Sequence, residues 1–243
     1  MLISQRQIPP TTKATFGNEL FAASPGVAIE LMNAINAWAT LEAKVEGIFG
    51  HLTEGDPSAM AAFKDLLGWD RRAKALGEKV AAVRPELQDH VAGLLNHVKE
   101  AADLRNEIAH SLWGVDQDGQ MLISPSDMYG RVSVHASGEN ADAEMPEFIS
   151  TLFRDGRMVG MAEATAARQA IEAAEGLMHA AWLGFFSPER DETGASFEDL
   201  INSLKTHPGI AERALNRARW RAREEKSKAK AGRSNLDAGF DLG

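Results

Sequence analysis

The chain has 243 residues, 44% of them hydrophobic and 25% charged, with a formal net charge of −9; that length can bury a core as one large or two small domains. It contains no cysteine, which excludes disulfides, thiolate catalysis, iron–sulfur clusters and cysteine-based zinc sites and fits a reducing cytoplasm. No apolar run follows a basic segment at the N-terminus, so no signal peptide is expected. The apolar stretch Met178 to Phe186 is broken by His179 and is too short to span a bilayer.

Residues 1–23, with Pro9-Pro10-Thr11-Thr12, read as an extended lead-in. Ser24-Pro25 supplies an N-cap and an N1 proline. Leu31, Ile35, Trp38, Leu41, Val45 and Ile48 then recur in steps of three and four, the spacing of an amphipathic helix. Asp56-Pro57 repeats the start signal for a short helix with Met60, Phe63 and Leu67 on one face, and Gly68 supplies a stop. Asp70 is expected to cap a third helix, in which Ala73, Leu76, Val80 and Val83 are in register. Pro85 opens a fourth, whose stripe is Leu87, Val91, Leu94, Val98, Ala101, Ile108 and Leu112.

The pattern changes after Trp113-Gly114. Asp118-Gly119 is a hairpin signal between Val115 and Met121-Leu122-Ile123. Arg131 to His135 alternates as a strand does, residues 137–140 read as a loop, and Asp155-Gly156 offers a turn in the ambiguous stretch 147–161. An Ala-rich helix follows from about Ala162 to Phe186. Ser196 to Asp199 forms a capping box for a short helix, and Pro208 begins a last helix expected to end near Ala231. The sum is an all-α, up-and-down helical bundle over residues 24–190, with a small β-hairpin insertion at about 114–160. C-terminal helices and a basic tail fill 191–243.

Between Glu212 and Arg233 stand nine Lys/Arg and three Glu, a local charge of +6 in a chain of net −9. Such an arm suits a polyanion or an acidic partner, or is simply a solvated helix end. Trp220 lies among Arg217, Arg219, Arg221 and Arg223, where it could stack on RNA or dock a protein partner. These five are the candidate RNA-binding residues. Because the arginines point to different sides of a helix, this segment is expected to lack an apolar stripe for docking. His90 and His97 lie seven apart, but with no HExxH and no cysteine a metal site is not expected. P-loop, dinucleotide-binding and GxSxG patterns are absent, so no cofactor is expected.

The richest set of reactive groups is Arg105-Asn106-Glu107-Ile108-Ala109-His110, at the end of the fourth helix. An arginine can stabilise phosphoryl charge, and a histidine changes charge near neutral pH. At about 100° per residue, Asn106 and His110 share a face, while Arg105 falls in the apolar stripe about 140° from His110. An arginine there can snorkel out along its stem. It can pair with Glu107, Glu100 or Glu42, or project into a groove beside another helix or a second subunit.

The segment Leu104-Arg105-Asn106-Glu107-Ile108-Ala109-His110-Ser111-Leu112-Trp113-Gly114 resembles the signature of HEPN-domain proteins. That superfamily has a helical bundle and an R-φ-x3-H motif, in which φ is usually polar. Its active members are metal-independent endoribonucleases of toxin–antitoxin, antiphage-defence and RNA-processing systems, and many are dimers whose motifs converge. The resemblance spans about residues 25–186, and the motif is its specific part. It implies catalytic roles for Arg105, Asn106 and His110. The RNA 2′-OH would attack phosphorus to leave a 2′,3′-cyclic phosphate, with His110 moving the proton and Arg105 holding the phosphoryl charge. Asn106 would orient the histidine or the phosphate. RNA, a second copy of the chain and an antitoxin or other protein are the partners implied, and no membrane. One toxin subgroup has a tyrosine two residues after the histidine; here that residue is Leu112 and the only tyrosine is Tyr129, so control by modification of that tyrosine is not implied. Members that lost catalysis also exist, which keeps open an inactive module that binds RNA or a protein.

Overall fold

The computed structural model describes residues 2–8, 14–15, 20–124, 156–186 and 197–237. They form a mostly helical bundle with a small antiparallel sheet. In chain order these are β1 (Ala14–Thr15), α1 (Leu20–Ala23), α2 (Pro25–Leu52), α3 (Pro57–Lys64), α4 (Trp69–Val83), a 3-10 turn (Pro85–Leu87) and α5 (Gln88–His110). Then come β2 (Leu112–Asp116), β3 (Met121–Ser124), β4 (Arg157–Val159), α6 (Met161–Phe186), α7 (Phe197–Thr206) and α8 (Pro208–Asp237). The expected strand at Arg131 to His135, the loop at 137–140, Asp155 of the expected turn and Ser196 of the capping box lie outside the described residues. No helix among them is long and apolar enough to cross a membrane.

The chain divides into two compact units, residues 1–43 with 100–176 and residues 44–99 with 177–243. In the first, Leu31, Trp38 and Leu41 of α2, Ala101, Leu104 and Ile108 of α5, and Ala164, Ala167 and Ile171 of α6 are buried. The sheet of this unit runs β1-β2-β3-β4, each pair antiparallel. Every residue of the central β3 is buried, so Met121 to Ser124 are covered on both faces. The expected hairpin turn is present. Asp116 accepts from the backbone of Asp118 (2.9 Å) and Gln120 (2.8 Å), and Gly119 takes φ +76°, a conformation that favours glycine.

Two parts of the expected lead-in meet this sheet, while its last residues, Leu20–Ala23, form helix α1 instead of extended chain. Ala14–Thr15 pairs with Val115 and Asp116 on one edge. On the other, Met158 donates to the Arg6 carbonyl at 2.8 Å and Ile8 to that of Gly156 at 3.3 Å, around a bridge between Gln7 and Arg157. Residues 6–8 and 14–15 therefore lie along opposite edges of the β2–β3–β4 meander, satisfying some of the backbone groups that an open edge leaves unpaired.

Several starts and stops differ from expectation in their chemistry. Ser24 does precede α2, and its carbonyl accepts from Ala28 at 3.1 Å, but its hydroxyl donates to the Gly119 carbonyl at 2.7 Å. Gly68, at φ +81°, is the residue before α4, while Asp70 sits inside the first turn where it complements the helix dipole. Helix α3 ends at Lys64, so Leu67 lies past its face and is 78% exposed. Asp56 caps α3 as expected, accepting from Ser58 at 2.9 Å. Glu163 caps α6 by accepting from the Gly160 N–H at 3.0 Å, and Arg6 pairs with the same carboxylate at 2.7 Å.

The core of the second unit includes Val45 and Ile48 of α2, Phe63, Leu76 and Val80, Leu94 and Val98 of α5, and Met178 of α6. Helix α8 extends six residues past Ala231 and, against expectation, has a docked stripe: Ile210 and Ala214 are buried. Arg221 continues that stripe and pairs with Asp89 and Gln88 of α5, while Arg213 donates to the Asn96 carbonyl at 2.7 Å. The crossing is tight because Gly93 has no side chain. A Cβ there would sit 2.8 Å from the Ile210 carbonyl oxygen and 3.2 Å from the Ala214 nitrogen.

Two predictions follow from these contacts. In an open helix Gly→Ala stabilises by up to about 1 kcal/mol. Gly93→Ala is instead expected to destabilise by about 1–3 kcal/mol, since backbone cannot yield as a side chain can. Urea unfolding with limited proteolysis of 208–237 measures this, and a higher midpoint would refute the close crossing. At Glu163 burial acts to raise the carboxyl pKa, but its backbone hydrogen bonds and Arg6 together hold it below the ordinary value. Its contribution to stability is therefore present above about pH 4.3 and lost as pH falls through the lowered value. Glu163→Gln is expected to flatten the acid limb of the stability profile, whereas parallel limbs in the two proteins would contradict the assignment.

Candidate functional site

The motif lies wholly in the first unit, in the last turn and a half of α5. The helix runs unbroken from Gln88 to His110, and the Ser111 N–H closes it on the Glu107 carbonyl at 3.2 Å. The chain then enters β2 at Leu112. Trp113 fixes this exit by donating its indole N–H to the Ile108 carbonyl at 2.9 Å.

Arg105 is half-buried, as its place in the apolar stripe requires. Its Nη1 donates to Oδ1 of Asn106 at 3.1 Å, so the guanidinium turns out of the stripe toward the neighbouring exposed residue. Its Nε is buried and has no hydrogen-bond partner among the described residues. None of the three expected carboxylates is its partner. Asn106 and His110 are exposed, one turn apart on one face. The structure thus brings Arg105 and Asn106 into contact, and His110 shares the exposed face of Asn106 but not the backbone face of Arg105.

Glu107, the residue inside the motif that sequence reasoning offered as a partner for Arg105, has another role. One oxygen pairs with Arg157 of β4, and the other accepts from the Ile3 N–H at 2.8 Å. The two side chains are only 10% and 15% exposed. The clue available in the sequence was an arginine directly before Met158-Val159, within a stretch that reads ambiguously.

The other candidate residues lie in the second unit. Arg217, Arg219, Trp220 and Arg223 of α8 are exposed, whereas Arg221 is half-buried and held by Asp89. The Arg217 guanidinium lies 4.9 Å from the Trp220 ring centre, a cation–π contact. His97 is set beside His207, ring centres 5.6 Å apart. Burial, with Lys205 adding to it, lowers the His90 imidazole pKa against the opposing charge of Asp89. Among the described residues no three His, Asp or Glu side chains gather in a way that could hold a metal ion.

No family model, no curated protein and no solved structure matches this chain.

The Glu107 pair gives the site a testable scaffold. Glu107→Gln leaves Arg157 without its counter-charge and is expected to cost on the order of 3 kcal/mol, the scale for breaking a buried pair from one side. Pairing it with Arg157→Met should recover much of that loss. Equilibrium urea unfolding of the two single variants and the double variant checks this, and strictly additive losses would show that the two side chains are not coupled.

Proposed function

We propose that this chain is a metal-independent endoribonuclease of HEPN type, working in the cytoplasm as a homodimer, in which Arg105, Asn106 and His110 act on an RNA phosphodiester. The observation that carries the reading is the Arg105 guanidinium. It has no carboxylate partner among the described residues and is turned onto Asn106, which lies one turn before the exposed His110 on the same helix. An arginine tied up in an ion pair would be poorly disposed to receive a phosphate; this one keeps donors for it.

The 2′-oxygen attacks the adjacent phosphorus as the bond from phosphorus to the 5′-oxygen breaks. His110 accepts the 2′-OH proton and returns a proton to the departing 5′-oxygen. Arg105 balances the charge that accumulates on the phosphoryl oxygens, and Asn106 keeps the guanidinium directed at them. The products are a 2′,3′-cyclic phosphate and a 5′-hydroxyl. By the same resemblance the protein would belong to a toxin–antitoxin or antiphage-defence system, with an antitoxin as a further partner.

One observation favours a second reading, a catalytically inactive module that binds RNA or a protein. Helix α5 is unbroken through His110, so the backbone positions of Arg105 and His110 stay about 140° apart on one rod. A complete site would then need the second copy.

Incubation of purified protein with mixed RNA and EDTA, followed by analysis of the ends, separates the two readings. Cleavage leaving cyclic phosphate is expected. In that assay His110→Ala should lose about 10²–10⁴-fold in rate while staying folded, since His110 is exposed. Arg105→Lys, which keeps charge but not the planar fork, should also fall. A folded His110→Ala protein that cleaves at the wild-type rate would rule out this site, and RNA binding without cleavage would favour the inactive module.

A further inference from the structure

The outward side of α8 is built differently from its docked side. Taking about 100° per residue, Ile210, Ala214 and Arg221 fall within one narrow stripe, and Arg217 borders it. Trp220, Arg223 and Arg219 fan away from that stripe into solvent, and Trp220 is 51% exposed. A large indole gains little from exposure, and here arginines stand three residues before it and three after. Arg217 lies against the ring.

Arg217 also lines a cleft of about 460 Å³ within the second unit, walled by α4, α5 and α8. The cleft contains two carboxylates, and each has a lysine nearby: Lys99 is 3.4 Å from Asp70, and Lys74 is 3.9 Å from Glu78. Arg217 is left as a cation with no carboxylate partner among the described residues. An anion entering here meets that cation, and a flat group beside it meets the Trp220 ring.

We propose that this face of α8 and the adjoining cleft form a docking surface for a single-stranded nucleic acid, with a phosphate at Arg217, a base stacked on Trp220, and Arg219 and Arg223 along the backbone. The charge pattern favours a polyanion: the segment carries +6 in a chain of net −9, so positive charge is concentrated on this arm. The exposed indole favours a single strand over an acidic protein or a duplex. An acidic peptide brings no flat base, and a duplex keeps its bases stacked inside. Arg221, one of the five sequence candidates, is left out because Asp89 already holds it. This surface does not depend on the ribonuclease reading.

The test uses the full chain and a fluorescein-labelled 2′-O-methyl oligouridylate of about 12 nucleotides, which has no free 2′-OH to attack. Anisotropy across a salt series gives affinity and slope. Trp220→Ala should weaken binding about tenfold, within the range for one lost stacking contact, while Trp220→Phe retains most of it. Arg217→Gln should reduce the slope of log affinity against log salt by about 0.7. These residues are exposed, and circular dichroism verifies the fold of each variant. Absence of binding, or wild-type affinity and slope in both Trp220→Ala and Arg217→Gln, would overturn the proposal. So would poly-glutamate that displaces the oligonucleotide and binds Trp220→Ala as well as wild type, which would assign the surface to an acidic protein. Binding that follows the expected pattern in a protein that leaves RNA uncut would retain this inference and reject the ribonuclease.

Discussion

Glu107 joins three distant parts of the chain at one point. Its carboxylate holds Arg157 of β4 and the backbone N–H of Ile3, and its own helix carries the motif. A carboxylate this little exposed is tolerated only because both oxygens are occupied. The consequence is positional: the last turns of α5, the far strand of the meander and the N-terminal segment are fixed to one another in the first unit. Within the motif, Glu107 is taken by structure, and its neighbours Arg105 and Asn106 are left to face outward together.

The N-terminal segment depends on this anchor. From Ile3, residues 6–8 run along β4, and residues 14–15 return on β2. A small sheet with two open edges would be a poor partner for a helical bundle and a template for unwanted pairing. Here residues 6–8 take one edge and residues 14–15 the other, and Arg6 also reaches the cap of α6 at Glu163. Sheet, cap and helix end are thus tied by one segment.

In the second unit the governing constraint is space. Gly93 lets the backbone of α8 approach α5 closely, and that approach sorts the arginines of α8. Those on the docked side find Asn96, Gln88 and Asp89; those on the far side find none of these and stay in solvent with Trp220. The same distribution of charge that looks uniform along the helix becomes two-sided once it is docked.

Much of the helical frame was determined by the sequence alone. Steps of three and four place Leu31, Trp38, Leu41, Val45 and Ile48 on one face of α2, and those residues are buried. Asp56-Pro57 starts α3, and Asp118-Gly119 turns the hairpin, because caps and positive-φ turns are local chemistry. Arg105, Asn106 and His110 stand near the end of their helix for the same reason. Only the tertiary structure decided what each charged group meets. Glu107 chooses Arg157, fifty residues away, over the adjacent Arg105, and Asp89 claims Arg221 from the far end of the chain. Residues 6–8 and 14–15 of the lead-in pair with the sheet, Ser24 turns its hydroxyl to Gly119, and α8 gains a docked face through a glycine on another helix. Periodicity and capping act within a few residues of each other and can be read in order; ion pairing and close approach act across space, where distance along the chain carries no information.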